Sequence, residues 1–370
     1  MAAGGTAGHV VPAIAVADEL RASGAAVTFL GTRERAEAEM VPAAGYEIDF
    51  IKVRGIDRRN ALRAAGAGFE ALGAVGAAKR VLRARGADVV MGGGGYVAGP
   101  AGLAAVRSGT PLVLTEADSH LGLANRLLAK RARRVCLAFP IEGREGERYL
   151  VTGRPVPADV LVADRGAARE RFGVPAEVLC LFVVGGSQGA RSINFAAVEA
   201  FAERAGREFH VLHLSGRRDY EELRGRLDAA PHADGYTLLA FEERGLGDCL
   251  AACDLVLGRS GGSIFEITAA GKPAILVPYP HATADHQRAN ANWMAAAGAA
   301  AMLSDEDLDP DELTATVWLV LGDPSRLQAM AAKSRALAMP DAARRIADEV
   351  LVAAGAPQLS STHAPKEGLD

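Results

Sequence analysis

Residues 179–190 read LCLFVVGGSQGA, in which six apolar residues lead directly into a glycine-rich loop. A short apolar run, a tight glycine turn and a following helical segment are typical of a βα unit in a parallel sheet. On both sides, short β-branched or leucine-rich runs alternate with longer segments rich in alanine, leucine and arginine. This alternation predicts an α/β fold with parallel sheets and crossover helices.

The predicted strands form two series. The first series is 27–30, 89–91, 112–114 and 135–137, and the second is 179–184, 209–214, 237–241, 255–257, 274–277 and 300–303. A turn-rich, charged stretch separates the series, and 370 residues suit two domains. We therefore expect domains at 1–156 and 157–338, a helix at 341–355 that returns to the first domain, and a disordered tail at 356–370.

Composition argues against several classes of protein. The formal net charge of −4 gives no electrostatic case for nucleic-acid binding. The four cysteines form no CxxC pair, so we expect buried, reduced thiols. We expect no signal peptide, because the chain opens directly into a glycine loop, and no apolar run approaches the roughly 20 residues of a spanning helix. Any membrane contact is expected to be peripheral.

Three glycine-rich loops carry most of the functional information: 4–9 (GGTAGH), 92–96 (GGGGY) and 185–190 (GGSQGA). A loop that presses its backbone N–H groups against a phosphate cannot carry bulky side chains, and the helix behind it adds partial positive charge. One such loop is equally well explained as a tight βα turn, but three in two domains indicate two phosphorylated ligands. None fits GxxxxGK[ST] or the full GxGxxG fingerprint, which disfavours kinases, ATPases and dehydrogenases.

The first loop lies very close to the beginning of the chain. Such a loop should follow a strand, yet only Met1, Ala2 and Ala3 precede Gly4. A doubly wound domain without its first strand would expose a slot in the centre of its sheet. We therefore expect the natural start to lie several residues upstream of Met1.

A late loop, 258–266 (GRSGGSIFE), opens a helix and places Glu266 about one turn inside it. A carboxylate there can accept hydrogen bonds from both hydroxyls of a ribose, which the surrounding glycines favour, and the alternative is a helix-capping glutamate. The polar segments 278–281 and 285–290 follow and are suited to binding sugar hydroxyls. The acidic run 304–312 is interpreted as a loop and helix N-terminus rather than a metal site.

These motifs together resemble the MurG family, transferases that add N-acetylglucosamine to the lipid-linked muramoyl-pentapeptide precursor of bacterial peptidoglycan. The resemblance extends over nearly the whole chain, from GGTAGHVVPAIAVADEL (4–20) and GGGGYVAGPAGLAA (92–105) to VVGGSQGARSIN (183–194) and GRSGGSIFEITAAGKPAILVPYPHATADHQRANA (258–291). It implies a GT-B fold, with two Rossmann-like domains facing a cleft and a C-terminal helix that crosses back to the first.

The resemblance also implies two sets of binding residues. The C-terminal domain would bind UDP-N-acetylglucosamine through Ser187, Gln188, Arg259, Ser260, Glu266 and Gln287, with His286 and Asn290 nearby. The N-terminal domain would bind the polyprenyl-diphosphate-linked acceptor through Thr6, Ala7, Gly8, Gly94, Gly95, Tyr96, Glu116 and Arg154. UDP-N-acetylglucosamine is a substrate here. No organic cofactor is expected, and the sequence contains no motif for a divalent cation.

The implied reaction inverts the anomeric centre: the acceptor's 4-hydroxyl attacks C1, UDP leaves and a β-1,4 bond forms. His9 is the candidate base because its neutral form is available near pH 7. The alternative is that His9 binds the acceptor phosphate from the start of its helix. The glycine loop of the second domain (185–190) and the dipole of the helix behind it would stabilise the leaving group.

Two segments depart from the family pattern on the acceptor side. Many members have His-Glu-Gln-Asn where residues 115–118 read TEAD, so only Glu116 is retained. Asn-Pro-Val-Arg is replaced at 154–157 by RPVP, where Arg154 could supply the guanidinium from a different position. The identity of the acceptor is therefore less constrained than that of the donor.

The segment Arg58–Arg85 carries seven basic residues and one acidic residue among apolar ones such as Leu62, Phe69, Leu72 and Val75. It could dock on an anionic membrane surface, which would place the protein peripherally on the cytoplasmic face of the cell membrane. The other interpretation is an ordinary crossover helix whose apolar stripe faces the sheet.

Three other functions remain open from the sequence. The chain could be a related transferase with another lipid acceptor, such as a diacylglycerol. It could be a sugar-nucleotide epimerase on the same two-domain fold, or a non-catalytic nucleotide-sugar-binding protein.

Overall fold

The structure is a computed structural model. It describes residues 1–53, 61–186, 189–203, 208–230, 233–282, 285–306 and 308–358, without the side chains of 61–72 and 233. It contains two compact units, one of Met1–Pro155 with the chain from Asp341 onward, the other of Val156–Pro340. In the described residues no helix is both long and apolar enough to span a membrane. The predicted tail at 356–370 lies outside the described residues from 359 onward.

The first unit is a parallel α/β structure. Its strands are β1 (Thr28–Gly31), β2 (Glu47–Phe50), β3 (Val90–Gly92), β4 (Leu112–Glu116), β5 (Arg134–Leu137) and β6 (Tyr149–Val151). Its helices are α1 (Ala7–Ala22), α2 (Glu37–Ala43), α3 (Ala61–Ala84), α4 (Gly95–Ser108), α5 (Leu123–Leu128) and a C-terminal helix Ala342–Ala354, with a 3₁₀ turn at Ala129–Arg131. Strand β1 pairs with β2, and β3 to β6 pair in sequence order.

The first residues of the chain occupy the position between β1 and β3. Ala2 forms parallel bridges to Leu30 and Gly92. Its N–H donates to Met91 O and its carbonyl accepts from Gly93 N, both at 2.8 Å. The first glycine loop therefore follows the central strand position, as a doubly wound sheet requires. A cavity of ≈ 780 Å³ opens beside Met1 and Ala2, along the amino-terminal ends of β1 and β3.

The second unit has one six-stranded parallel sheet. Its strands are β7 (Cys180–Val184), β8 (His210–Leu214), β9 (Tyr236–Leu239), β10 (Leu255–Gly258), β11 (Ala274–Leu276) and β12 (Ala300–Met302), in the order β12-β11-β10-β7-β8-β9. Its helices are α6 (Ala158–Val162), α7 (Arg165–Phe172), α8 (Arg191–Phe201), α9 (Tyr220–Asp228), α10 (Gly247–Ala252), α11 (Ile264–Ala269), α12 (His286–Ala296), α13 (Pro310–Leu321) and α14 (Pro324–Leu337), with a 3₁₀ turn at Ala233–Gly235.

The order of strands in the second unit determines where a ligand can bind. The chain runs from β7 to one side and returns to its other side at β10, so these neighbours form a topological switch point. In open α/β sheets, ligands bind outside the carboxyl ends of the strands at such a point. The loops after β7 and β10, which are the two glycine-rich loops of this unit, both begin there.

The C-terminal helix Ala342–Ala354, α15, packs in the first unit, in agreement with the predicted return. Ile346, Ala347 and Val350 are buried in a cluster with residues of α1. Burial of one large aliphatic side chain contributes about 1.5–3 kcal/mol relative to its exposure. An ion pair between Arg134 on β5 and Glu349 adds a polar contact at 2.5 Å.

Helix α3 is partly an ordinary crossover helix. Val75 is buried with Ala74 and Ala78 in the core of the first unit, so this part of the predicted lipid-facing stripe instead faces the sheet. Arg85 pairs with Glu47 and Asp49. Arg80 and Arg83 are exposed. Residues 54–60 and the side chains of Leu62, Phe69 and Leu72 lie outside what the structure describes.

Candidate functional site

The first glycine loop leads into α1. Gly5 has a φ of 100°, which residues with a side chain rarely adopt. Ala7 and Gly8 are the first two residues of α1, so their N–H groups have no acceptor within the helix. Together with the helix dipole, these N–H groups can bind an anion.

His9 stands in the first turn of α1 between the two glycine loops of the first unit. Its Nδ1 lies 3.2 Å from Thr6 Oγ1. The other edge of the ring faces the second loop, because a Cβ on Gly94 would lie 2.5 Å from His9 Cδ2 and 3.1 Å from Nε2. Only glycine at position 94 leaves room for the imidazole.

The surroundings of His9 keep its imidazole neutral. Burial is the main cause that lowers the pKa of His9 below its usual value, and the positive charge of Arg154 acts in the same direction. The negative charges of Asp118 and Glu37 oppose them without reversing the shift. A neutral imidazole at pH 7 can accept a proton, as a general base must.

The second glycine loop begins α4. Gly94 and Gly95 have φ values of 93° and 76°, and the backbone of Gly95 touches that of Gly4. Tyr96 follows with 52% of its surface exposed. The predicted acceptor residues of both loops are thus brought together by backbone contact.

Arg154 and Glu116 also lie close to His9. The guanidinium of Arg154 donates from Nη2 to Gly8 O at 2.7 Å. A small pocket in the first unit is lined by Gly8, His9, Glu116 and Arg154, among others. The sequence predicted all four as site residues, and the structure places them around one space.

The contacts of Glu116 indicate a supporting role. Its carboxylate accepts from Gly122 N, Asn125 Nδ2 and Asp118 N at 2.8, 2.9 and 3.2 Å. Burial is the main cause that raises the pKa of Glu116, and these hydrogen bonds offset only part of it. The carboxylate holds the loop after β4 in place, and acceptor binding by Glu116 itself stays a prediction.

In the second unit the loop after β7 requires glycine. A Cβ on Gly185 would lie 2.2 Å from Ala190 N, and one on Gly189 would lie 2.3 Å from Ser215 O. Gly186 and Gly189 have φ values of 85° and 73°. The predicted donor residues Ser187 and Gln188 lie outside the described residues.

Arg259 and Ser260 make contacts within the second unit. The guanidinium of Arg259 donates to Asp305 Oδ1, Ser192 Oγ and the carbonyl of Val277. The fully buried Ser260 hydroxyl donates to Gln287 O at 2.7 Å. These side chains hold the loops around the switch point, and their place in the nucleotide pocket stays a prediction.

Glu266 and Gln287 remain the better candidates for donor contact. Glu266 lies in the first turn of α11 and is partly exposed. Gln287 Oε1 accepts from Tyr279 N at 3.0 Å, and a Cβ on Gly261 would lie 3.8 Å from its Nε2. The loop after β10 and the start of α12 are therefore adjacent.

His286 and Asn290 both lie on α12 but differ in burial, since His286 is partly exposed and Asn290 is buried. His286 is its first residue. Asn290 is buried and donates to Ser260 O at 2.9 Å, so it supports the loop after β10.

Comparison with known proteins agrees with this arrangement. The sequence models described as the glycosyltransferase family 28 N-terminal and C-terminal domains match residues 1–137 and 180–346. The UDP-N-acetylglucosamine–N-acetylmuramyl-(pentapeptide) pyrophosphoryl-undecaprenol N-acetylglucosamine transferase of Moorella thermoacetica is 40% identical over 360 residues, which is 94% of this chain and 96% of the relative. The protein of that name from Halorhodospira halophila is also 40% identical, again over 94% and 96%.

The chain belongs to the MurG family. A crystal structure of MurG from Acinetobacter baumannii has a TM-score of 0.79 and 30% sequence identity, covering 95% of this chain and 98% of that one. The fold is therefore that of the GT-B glycosyltransferases, with two Rossmann-like domains.

Two supporting groups in this MurG-family chain were not predicted. Asp305 lies in the acidic run 304–312 and binds both Arg259 and Ser192 Oγ. Asp309 in the same run caps α13 by accepting from Asp311 N and Glu312 N, as the sequence indicated. Acidic residues are common in loops, so nothing in the sequence distinguished Asp305 from its neighbours.

The other unpredicted group is a buried polar network beneath the loop after β7. Asn194 donates to Ser215 O and to Asp219, and its Oδ1 lies 3.1 Å from His213 Nε2. Tyr236 Oη lies 2.8 Å from His213 Nδ1. In this MurG-family chain the network supports Ser215, against which Gly189 packs.

Proposed function

We propose that the chain transfers N-acetylglucosamine from UDP-N-acetylglucosamine to the 4-hydroxyl of undecaprenyl-diphospho-muramoyl-pentapeptide, with inversion at C1. The observation that carries this proposal is the 40% identity, over 94% of the chain, to transferases named for this donor and this acceptor. The chain is thus an enzyme of peptidoglycan synthesis.

The geometry of the first unit supports a role in binding the acceptor. An acceptor diphosphate would meet the N–H groups of Ala7 and Gly8 at the start of α1. Gly94 and Gly95 allow the second loop to approach it closely. Arg154, held at Gly8 O, adds positive charge at the same helix end.

His9 is the proposed base, with Nε2 accepting the proton of the 4-hydroxyl. That role requires the tautomer in which Nδ1–H donates to Thr6 Oγ1, which lies 3.2 Å away. Thr6 would therefore set both the tautomer and the ring orientation. A positioned base of this kind contributes typically about 10²–10⁴-fold to the rate.

The second unit would bind the donor at its switch point. Glu266 would accept hydrogen bonds from the ribose hydroxyls, and Gln287 would contact the N-acetylglucosamine. The loop after β7 and the start of α8 would stabilise the leaving diphosphate. Arg259 and Ser260 would hold these loops in shape through the contacts described above.

Membrane docking is proposed for the face formed by α3, α4 and α5. On α5, Leu127 is 66% and Leu123 39% exposed. Arg126, Lys130 and Arg131 are exposed beside them, and Arg80 and Arg83 are exposed on α3. Each basic group near an anionic surface contributes about 1 kcal/mol. This face would hold the protein peripherally on the cytoplasmic leaflet, where a polyprenyl acceptor is anchored.

The decisive experiment supplies the purified protein with radiolabelled UDP-N-acetylglucosamine and one acceptor at a time. The acceptors are lipid-linked muramoyl-pentapeptide, a diacylglycerol and a polyprenyl phosphate. We expect UDP release coupled to labelled lipid with the muramoyl acceptor alone, and a β-linked product. Transfer to diacylglycerol, or 2-epimerised sugar in the absence of any acceptor, would refute the proposal.

A further inference from the structure

Glu37 is a fully buried carboxylate next to the first glycine loop. Its Oε2 accepts from Gly5 N at 2.8 Å. Its Oε1 accepts from the N–H and the hydroxyl of Thr32 at 3.0 and 2.7 Å. The side chain is 0% exposed and lies in the first turn of α2, where the helix dipole favours a negative charge.

These contacts keep the carboxylate ionised despite its burial. Burial by itself would raise the pKa of Glu37, but the hydrogen bonds from Gly5 and Thr32 outweigh it, and the net pKa is below the usual value. Charge-assisted hydrogen bonds of this kind are among the strongest in proteins. The carboxylate is therefore a rigid support for the loop.

Two glycines, Gly4 and Gly31, leave space for the side chain of Glu37. A Cβ on Gly4 would lie 2.5 Å from Glu37 Oε1, and one on Gly31 would lie 2.7 Å from its Cγ. Glu37 thus leaves no room for a Cβ at Gly4, and at Gly31 it shares this effect with Ile48, whose Cδ1 would also lie 2.7 Å from the new atom. Gly4 in turn touches Gly95, so Glu37 supports the place where the two loops meet.

Glu37 also determines which backbone N–H groups of the first loop remain available to a ligand. The N–H of Gly5 is used by Glu37 and is not available to a ligand. The N–H groups of Ala7 and Gly8 have no acceptor within α1. An anion can therefore bind at Ala7 and Gly8, immediately before His9 in the sequence.

We propose that Glu37 is a positioning residue of the acceptor site. Its ionised carboxylate fixes the turn at Gly4 and Gly5, and that turn sets the positions of the Ala7 and Gly8 amides and of His9. Glu37 touches neither substrate and acts through the loop. This inference rests on the proposed function.

The test compares Glu37→Gln with Glu39→Gln, a matched control. Glu39 is exposed on the same helix, and its substitution removes the same charge without touching the loop. In Glu37→Gln the amide NH₂ must face the N–H of either Gly5 or Thr32, which leaves a buried donor without an acceptor. We expect the KM for the lipid acceptor to rise about 10-fold or more, while the KM for UDP-N-acetylglucosamine stays within about twofold of the wild-type value.

A pH profile gives a second readout that a merely structural role would not change. The charged groups acting on His9 are Arg154, Asp118 and Glu37, and Glu116 lines the same pocket. Loss of the Glu37 charge removes one influence that raises the pKa of His9. The acid limb of kcat/KM should therefore move to lower pH in Glu37→Gln and stay unchanged in Glu39→Gln.

Thr32→Val provides a graded variant, because it removes the hydroxyl donor but keeps the two N–H donors. It should also raise the acceptor KM, but by a smaller factor than Glu37→Gln does. If Glu37→Gln matched Glu39→Gln, or lowered acceptor and donor efficiencies equally together with the folded fraction, the proposal would be overturned.

Hydrogen exchange separates this proposal from the proposed function. We expect the amides of residues 4–9 to exchange faster in Glu37→Gln than in the wild type or Glu39→Gln. If the wild type uses another lipid acceptor, the kinetic comparison is made with that acceptor. If it uses none, the proposed function fails, and unchanged exchange at 4–9 would then overturn the role of Glu37 as well.

Discussion

The carbonyl oxygen of Gly4 lies 1.9 Å from the point that a Cβ on Gly95 would occupy. The two glycine loops of the first unit are therefore in direct backbone contact, although 91 positions of sequence separate these residues. His9 lies against the same second loop, at Gly94. The acceptor side of the candidate site depends on this contact.

Gly95→Ala should damage the first unit and abolish most transfer. The new methyl group would overlap Gly4 O, and the φ of 76° is unfavourable for alanine. Strain of this kind costs about 1–3 kcal/mol even before the clash is counted. We expect kcat/KM for the acceptor to fall by at least about 100-fold, measured alongside urea unfolding.

Gly99→Ala is the matched control on the same helix. A Cβ there would lie 3.6 Å from Ala124 Cβ, which is an ordinary contact. Replacement of glycine by alanine in a helix interior stabilises by up to about 1 kcal/mol. Equal activity in the two variants would show that the contact between the loops is unimportant.

His9→Ala should reduce transfer about 10²–10⁴-fold without weakening UDP binding. Because the pKa of His9 is lowered, its neutral form predominates at pH 7. Wild-type kcat/KM should therefore be flat near pH 7 and fall only on acidification below the ordinary histidine pKa of about 6.5. Rate measurements from pH 5 to 8 check both expectations, and a loss of donor affinity in His9→Ala would contradict the assignment.

Substitutions of Thr6 distinguish a base from a phosphate ligand at His9. Thr6→Ser keeps the hydroxyl 3.2 Å from Nδ1, whereas Thr6→Val removes it at similar volume. A base needs the correct tautomer, so Thr6→Val should lower kcat more than it raises the acceptor KM. The opposite pattern would favour the phosphate-binding role of His9.

Glu266→Ala should weaken UDP and UDP-N-acetylglucosamine binding by about 10–100-fold, since hydrogen bonds to a charged group contribute about 1.5–3 kcal/mol. Acceptor binding should not change. Calorimetric titration of UDP checks this, with Glu243→Ala, which alters an exposed glutamate of the same unit, as the control. Unchanged UDP affinity in Glu266→Ala would show that Glu266 does not hold the ribose.

His213 should make the second unit sensitive to acid. Burial lowers its pKa to about 3, with Asp219 opposing the shift weakly. Below about pH 6.5 the unfolded chain binds a proton that the folded chain excludes. This group therefore lowers the free energy of unfolding by about 1.4 kcal/mol for each unit by which the pH decreases. The loss begins near 6.5 and continues down to the folded-state pKa.

His213→Gln removes this titration and should flatten the pH dependence, although it lowers stability at pH 7 by disturbing Asn194 and Tyr236. Urea unfolding between pH 7.5 and 5 measures the difference in slope. His281→Gln changes an exposed histidine and should keep the wild-type slope. Parallel curves for wild type and His213→Gln would contradict the prediction.

Leu127→Glu should reduce binding to vesicles that contain anionic lipid. The substitution places a negative charge near exposed Arg126 on α5 and near exposed Lys130 and Arg131 in the following 3₁₀ turn, where an apolar side chain is now 66% exposed. Leu319→Glu, on α13 with 57% exposure, is the control in the other unit. Co-sedimentation with phosphatidylglycerol vesicles checks this, and equal binding of both variants would exclude α5 from the docking face.

The local pattern of the chain was enough to predict most strands but not all of them. β2 and β6 were missed, and each lies at the end of its strand order and contains no buried residue. Their apolar signal is accordingly weak. Nine of the ten predicted strands contain buried residues, so their apolar runs were visible in the sequence, whereas β12 contains none.

The sequence by itself determined the α/β alternation, the glycine loops, the return of the last helix and, through its motifs, the family. The alternation and the loops depend on local conformation, since only glycine tolerates the φ values and close approaches that the loops require. Only the tertiary structure decided what the polar side chains do. Glu37, Asp305 and Asn194 are ordinary in sequence, and the contacts that Glu116, Arg259 and Ser260 make within their units could not be seen in it. Their roles follow from which backbone groups lie within hydrogen-bonding distance, and that depends on how distant segments pack rather than on neighbouring residues.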